Sequence, residues 1–182
     1  MRAETERLIL REWQESDIEP FIALNQDLSV MEFFPAVLSP DETRAFIERI
    51  RIHFQKHGFG LWALELKSTS EFIGFVGLNI PGFEAKFTPC VEIGWRLSSA
   101  HWGKGYALEA ARKVLELGFA TYNLKEIVSF TSIHNKRSIR VMEKLGMMHD
   151  SKDDFEHPKL PKEDYLAKHV LYRIRHVVPV TI

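Results

Sequence analysis

Cysteine is nearly absent from this chain, with Cys90 the only one among 182 residues. A single thiol excludes an intramolecular disulfide and a cysteine-based zinc site. The sequence also lacks an apolar run approaching the roughly 20 residues that a membrane-spanning helix needs. Its polar start, residues 1–6, has no apolar stretch of the kind found in a signal peptide. We therefore expect a cytoplasmic protein with no membrane partner.

An excess of charge of either sign is missing too. Lysine and arginine number 24 against 25 aspartate and glutamate residues, a net charge of −1. Nothing in this balance favours a nucleic-acid partner. The eight histidines show no metal-ligand spacing, so we expect no metal. The length and the 45% hydrophobic content predict a single domain over residues 1–182.

Apolar periodicity predicts strands alternating with helices, which indicates one mixed α/β domain. Seven strands are predicted, at residues 7–13, 61–66, 72–79, 91–97, 126–131, near 147–148 and at 169–174. Four helices are predicted, from Ser16-Asp17 to Leu24, from Ser39 to Gly58, over 107–119 and over 135–145. Ser39, Pro40 and Glu42 form a capping-box pattern. A long loop containing residues 155–162 joins the final two strands.

The most informative segment is a strand, Glu92–Leu97, followed by a glycine turn, Trp102-Gly-Lys-Gly-Tyr106, and a helix. Unpaired N–H groups at a helix start bind phosphate. Leu108 occupies the position where a dinucleotide fingerprint requires a small residue, and Gly105 follows Lys104 where a P-loop requires Ser or Thr. Two interpretations remain, an acyl-CoA cradle and a turn that only reverses the chain.

Several segments resemble the GNAT-type, acetyl-CoA-dependent N-acetyltransferases. Those around the turn are Glu92-Ile-Gly-Trp95, Trp102–Ala107 and Glu109-Ala110, and those of a later helix are Asn135-Lys-Arg-Ser138 and Glu143–Gly146. Other segments resemble the RimJ/RimL-like subgroup, which acetylates ribosomal-protein N-termini. They are Thr5, Arg7–Arg11, Asp17, 157–161 and 169–173. The resemblance covers nearly the whole chain. It implies the α+β GNAT fold: a single mixed, mostly antiparallel central sheet of about six to seven strands, flanked by helices.

The resemblance implies direct transfer of an acetyl group from acetyl-CoA to a primary amine, either a protein N-terminus or a small molecule. Many members carry a tyrosine acid four residues after the position of Ser138, where this chain has Met142. A non-catalytic acetyl-CoA-binding sensor or scaffold is therefore the alternative. The resemblance is compatible with a monomer or a homodimer.

Two residues are candidates for catalysis. An alkyl amine is mostly protonated at neutral pH, so a base must take its proton. Glu92 is the candidate base or water-positioning residue; otherwise it is a strand carboxylate paired with a cation or facing water. Ser138 is the candidate donor of a proton to the departing sulfur, or the holder of a bridging water; otherwise it is a solvent-facing helix residue. Cys90 has no nearby histidine in the sequence and is not expected to be a nucleophile.

The remaining candidates bind the two substrates. Backbone N–H groups at 95–97 are expected to polarise the thioester carbonyl. Asn135 is a helix N-cap, a contact to the cofactor, or both. Arg137 is a further candidate for the CoA phosphates. The candidate cofactor-binding residues are Trp95, Arg96, Leu97, Trp102, Gly103, Lys104, Gly105, Tyr106, Ala107, Asn135 and Arg140. Phe33 and Phe34 are expected either to line the acceptor site or to pack in the core.

Overall fold

Strands and helices alternate along residues 2–176, the part of the chain that the computed structural model describes; residue 1 and residues 177–182 of the predicted domain lie outside it. The strands are β1 (Ala3–Glu4), β2 (Leu8–Arg11), β3 (Leu61–Leu66), β4 (Phe72–Asn79), β5 (Glu92–Leu97), β6 (Glu126–Ser132), β7 (Met148–His149), β8 (Phe155–Glu156) and β9 (Lys168–Arg175). The helices are α1 (Ile18–Gln26), α2 (Pro40–His57), α3 (Tyr106–Ala120) and α4 (Lys136–Lys144).

One mixed sheet contains all of these strands. Its order is β1-β2-β3-β4-β5-β6-β9-β7, with β8 also paired to β9. Every pairing is antiparallel except that of β5 with β6. The mostly antiparallel architecture was predicted, but the sheet has nine strands within residues 2–176 rather than six to seven. The additional strands, β1 and β8, have two residues each, which is too short for the alternation that identifies a strand in a sequence.

The parallel pairing of β5 with β6 is very short, since it contains a single pair of residues. Glu92 pairs with Val128, and the Val128 N–H donates to the Val91 carbonyl at 2.9 Å. No residue of β5 beyond Glu92 pairs with β6, although β5 stays paired with β4 from Glu92 to Leu97. The two strands therefore part, and the second half of β5 has one free edge in the middle of the sheet.

Helices cover both faces of the sheet. On one face, Ile93 and Leu97 of β5 share a core with Ala110, Ala111 and Val114 of α3. On the other face, residues of β3 and β4 pack against α1 and α2. The free edge of β5 is thus flanked by a helix layer on each side. Within the described residues, no helix has the length and apolar character needed to cross a membrane.

The predicted starts of α2 and of α1 are confirmed in position, but the side chain at the start of α1 does not cap that helix. Ser39 caps α2 and forms the capping box with Glu42, and Gly58 ends the helix at φ 75°. Before α1, the backbone first makes a short 3-10 turn that Gln14 begins. Asp17 holds the N-cap position of α1, but its buried carboxylate makes no bond to that helix, because it accepts from Arg11 at 2.7 and 2.8 Å and from the Gln14 N–H at 2.8 Å. That ion pair outweighs the local capping preference of an aspartate.

Gly77 permits the close approach of β3 and β4. A Cβ at Gly77 would overlap the Gly60 carbonyl oxygen, which belongs to the backbone and cannot rotate away. We expect Gly77→Ala to lower the free energy of unfolding by about 2–3 kcal/mol, measured by urea denaturation. Gly82→Ala is the matched control, since a Cβ placed on Gly82 would meet no atom within 4 Å in the described part of the chain, its two neighbours in sequence apart. Equal stability of the two variants would contradict this account of the strand contact.

Candidate active site

Successive residues of β5 point their side chains to opposite faces of the sheet and their backbone N–H groups to opposite edges of the strand. Side chains of Glu92, Gly94 and Arg96 share one face, and those of Ile93, Trp95 and Leu97 share the other. The Ser98 N–H donates to the Ile73 carbonyl on the β4 side. Because hydrogen-bonded positions alternate in an antiparallel pair, the N–H groups of Trp95 and Leu97 point to the free edge.

A cavity of about 670 Å³ lies over the Glu92–Arg96 face of β5. The parted strands, α2 and the segment after β8 enclose it. Its walls include Phe33, Phe34, Asn79, Phe130 and His157. Gly94 leaves the floor open, because among residues 2–176, apart from its chain neighbours, only Glu92 Oε1 comes within 4 Å of a Cβ placed there, at 3.9 Å.

Glu92 lies in this cavity without a cation beside it among residues 2–176. Burial raises the pKa of the Glu92 carboxyl to about 8, and a hydrogen bond from the Asn79 side chain opposes the rise. Asn79 pairs directly with Glu92 across β4 and β5. The interpretation in which the Glu92 carboxylate pairs with a neighbouring cation is thus wrong for the described chain. A carboxyl with this pKa can accept a proton near neutral pH.

A second cavity, of about 310 Å³, lies between the glycine turn and α4. Gly103 and Gly105 have φ values of 74° and 83°, which the turn needs. Within the described chain, the six backbone N–H groups of residues 103–108 have no hydrogen-bond acceptor. Gly105 provides no side-chain cap for α3. The positive end of the α3 dipole therefore faces the cavity with its donors free.

Basic side chains of α4 border this second cavity. Arg137, Arg140 and Lys144 line it, at the spacing of one helix face. Arg137 also pairs with Glu32 at 2.8 Å and lies 4.2 Å from the centroid of the Trp102 ring. Lys144 was missed by the sequence analysis, although its position seven residues after Arg137 would have indicated it.

The predicted cofactor-binding residues occupy this cavity with one exception. Its lining includes Trp95, Arg96, Leu97, Trp102, Gly103, Gly105, Tyr106, Ala107, Asn135 and Arg140. Lys104 is absent from the lining, and its carbonyl accepts a hydrogen bond from Arg7 at 3.0 Å. The Leu97 carbonyl is likewise occupied, by the Trp102 indole N–H at 2.9 Å.

Ser138 lies where the two cavities meet. The residues that line both cavities are Phe34, Trp95, Arg96 and Ser138. Asn135 caps α4 by accepting from the Ser138 N–H at 3.2 Å, and its amide donates to Ser138 Oγ at 3.1 Å. The hydroxyl proton of Ser138 has no acceptor among the described residues. It is therefore free to be donated at the junction.

Two other residues are excluded from the chemistry by their surroundings. Met142, at the position where many members of the family carry a tyrosine acid, is fully buried in the core and lines neither cavity. A proton donor at that position of this chain would not reach the site. Burial raises the pKa of the Cys90 thiol to about 11, so its thiolate is scarce at neutral pH.

A sheet whose central strands part between a helix start with free N–H groups and a cavity that holds a carboxyl of raised pKa is the arrangement expected of an acyltransferase. Sequence comparison agrees with that class. The profile of the family described as Acetyltransferase (GNAT) domain matches residues 7–148. The chain belongs to the GNAT acetyltransferase family.

Similar proteins span most of the chain. YkkB, an uncharacterised protein of Bacillus subtilis, is 35% identical over 144 residues, covering 79% of this chain and 83% of YkkB. An acetyltransferase structure from Agrobacterium tumefaciens is 27% identical with a TM-score of 0.78, covering 97% and 95% of the two chains. RimL, a ribosomal alpha-N-protein acetyltransferase solved with coenzyme A, shares the fold at 16% identity and a TM-score of 0.75, covering 96% and 98%.

The raised pKa of Glu92 predicts how stability depends on pH. Between the ordinary glutamate pKa and about 8, the folded chain holds one proton more than the unfolded chain, so stability falls as pH rises. We expect Glu92→Gln to be more stable than wild type at pH 8.5 by about 2 kcal/mol, a margin limited by solvent in the cavity, and to lose this advantage at pH 5. Urea denaturation across this range measures the difference.

The control for this experiment is Glu116→Gln, which removes a carboxylate from an exposed pair with Lys113. Its stability should follow the pH dependence of wild type. A Glu92→Gln curve parallel to the wild-type curve would show that Glu92 ionises normally.

Proposed function

We propose that this protein is an acetyl-CoA-dependent N-acetyltransferase that transfers acetyl directly to a primary amine, within one domain. The observation that supports this most is the junction of the two cavities at Trp95, Arg96 and Ser138, where β5 has parted from β6. One cavity presents anion-binding donors and the other a basic carboxylate. A cofactor arm and an acceptor can therefore approach the same point from opposite sides.

The glycine turn and α4 fit the anionic part of coenzyme A. The free N–H groups of residues 103–108 would hold the pyrophosphate at the start of α3. Arg140 and Lys144 would add positive charge on the opposite wall. Trp95 and Leu97 would offer their free-edge N–H groups to the arm and to the thioester carbonyl. When bound, acetyl-CoA supplies the activated acetyl group.

Glu92 would act on the acceptor from the larger cavity. An ammonium group entering this cavity meets a carboxyl whose pKa, about 8, allows it to take up the proton, directly or through water. The neutral amine nitrogen then forms the new bond to the acetyl carbon. The open floor at Gly94 leaves room for the amine beside the carboxylate.

Ser138 would act on the leaving sulfur. As the carbon–sulfur bond breaks, the thiolate needs a proton, and the Ser138 hydroxyl has one that no described residue accepts. Asn135 holds the hydroxyl oxygen at 3.1 Å and thereby fixes where that proton points. The serine can be reprotonated from solvent through the cavities that it borders.

The subgroup and the acceptor are narrower parts of the proposal. The opening segment Arg7–Arg11 with Asp17, and the segments at 157–161 and 169–173, support a RimJ/RimL-like enzyme. In this chain Arg11 and Asp17 form an ion pair at 2.7 Å that attaches the start of α1 to the sheet. Phe33 and Phe34 line the larger cavity and would contact the acceptor. A cytoplasmic monomer or homodimer is consistent with this role.

Binding of the cofactor can be tested apart from catalysis. We expect Arg140→Glu to weaken coenzyme A binding about tenfold in isothermal titration, because a carboxylate would then face the phosphates. Arg112→Glu is the matched control, since Arg112 is exposed on α3, lines neither cavity and should leave the affinity unchanged. Absence of coenzyme A binding in wild type would refute the proposed function.

Catalysis is tested by measuring the free thiol that acetyl-CoA releases when a panel of primary amines is offered as acceptors. We expect kcat/KM of wild type to rise with pH to a plateau governed by a pKa near 8, because Glu92 must lose its proton before it can act. Glu92→Gln should lower kcat/KM by about 100-fold and remove this ionisation from the profile. Ser138→Ala should lower kcat by about tenfold or more without moving the ionisation. Unchanged rates in both variants would exclude these roles.

A further inference from the structure

The side chain of Arg96 is a half-buried cation at the border of both cavities, and its Nε is shielded from solvent. From β5 it points toward the α1–α2 layer, where its guanidinium carbon lies 4.1 Å from the Phe34 ring centroid. The Phe75 and Phe46 rings follow at 5.6 and 5.8 Å. Its Nη1 donates to Asn25 Oδ1 at 2.6 Å. Aromatic faces and one neutral amide therefore surround the charge.

No carboxylate compensates this charge within residues 2–176. Burial alone lowers the pKa of the Arg96 guanidinium to about 10, with no acidic group acting against it. Arg11 shows the usual arrangement in the same fold, with Asp17 at 2.7 Å and Glu65 at 2.6 Å. Since buried charges are normally paired, an unpaired one beside a cavity indicates a partner that enters from outside the chain.

The free donors of Arg96 lie along one edge of its guanidinium. Nε is buried with no hydrogen-bond partner among the described residues, and Nη2 has none either. These two nitrogens face the same side, away from the Nη1 that Asn25 occupies. Arg7 uses this edge to bind the Glu109 carboxylate, with Nε at 2.7 Å and Nη2 at 2.6 Å. The vacant edge of Arg96 thus matches a carboxylate in shape and charge.

We propose that Arg96 is a specificity-determining residue that binds a carboxylate of the acceptor, so that the substrates are primary amines bearing a carboxylate. This inference rests on the proposed function. Glu92 and Arg96 are four residues apart on one strand face, about 13 Å along the backbone. Gly94 between them leaves the floor of the cavity open.

An acceptor with its amine at Glu92 and its carboxylate at Arg96 therefore has several bonds between the two groups. Phe34, whose ring covers the guanidinium, is 38% exposed and can turn aside to admit the carboxylate.

The test compares unbranched ω-amino acids of increasing length with their carboxamides, with release of free thiol from acetyl-CoA as the readout. We expect wild type to prefer the carboxylate over the matched amide by about 100-fold in kcat/KM at the best length. Arg96→Gln should reduce this ratio to near one, by lowering kcat/KM for the acid and not for the matched amide. Arg96→Lys should restore part of the preference, since it keeps the charge without the planar fork.

Arg44→Gln is the control for loss of a positive charge, because Arg44 pairs with Glu19 at the surface and lines neither cavity. It should keep the full preference. Acetyl transfer with equal rates for acid and amide in wild type overturns the role of Arg96, even if Arg96→Gln fails to fold. A loss of coenzyme A affinity in Arg96→Gln with an unchanged acid-to-amide ratio overturns it as well. Absence of transfer to every amine, with no coenzyme A binding, refutes the proposed function instead.

Discussion

The parting of β5 from β6 is the constraint on which the rest of the structure depends. The strands share one parallel pair, Glu92 with Val128, and then separate. Open backbone groups in the middle of a sheet are costly unless something else satisfies them. Here the β4 pairing and the helix layers hold β5 in place, and the free edge borders the point where both cavities meet. The unpaired edge of β5 therefore presents its backbone groups at the junction of the two cavities.

The two faces of β5 divide the work between them. Ile93 and Leu97 anchor the strand in the α3 core, which sets the start of that helix beside the strand end. The opposite face carries Glu92 and Arg96. Burial shifts their pKa values in opposite directions, raising that of the carboxyl and lowering that of the guanidinium. Neither is neutralised by a charged partner in the described chain. Such uncompensated groups lower stability, and perturbed ionisable groups of this kind cluster at functional sites.

Much of the fold followed from local patterns. The capping box at Ser39, the αL residue Gly58 and the alternation in β3, β4 and β5 are encoded within a few residues of each element. The two-residue strands β1 and β8 are not, because they exist only through pairing with β2 and β9. Asp17 shows the same limit, since its long-range pair with Arg11 decides its conformation over its local role as a cap.

The sequence by itself determined the family and the glycine turn before α3, because both depend on short spacings along the chain. Only the tertiary structure decided that Lys104 lies away from the cavity, that Met142 points into the core, and that Asn79 supports Glu92 across the sheet. The same holds for the unpaired edge of Arg96. Register and burial depend on which distant segments meet, and they set both the direction of a side chain and its pKa.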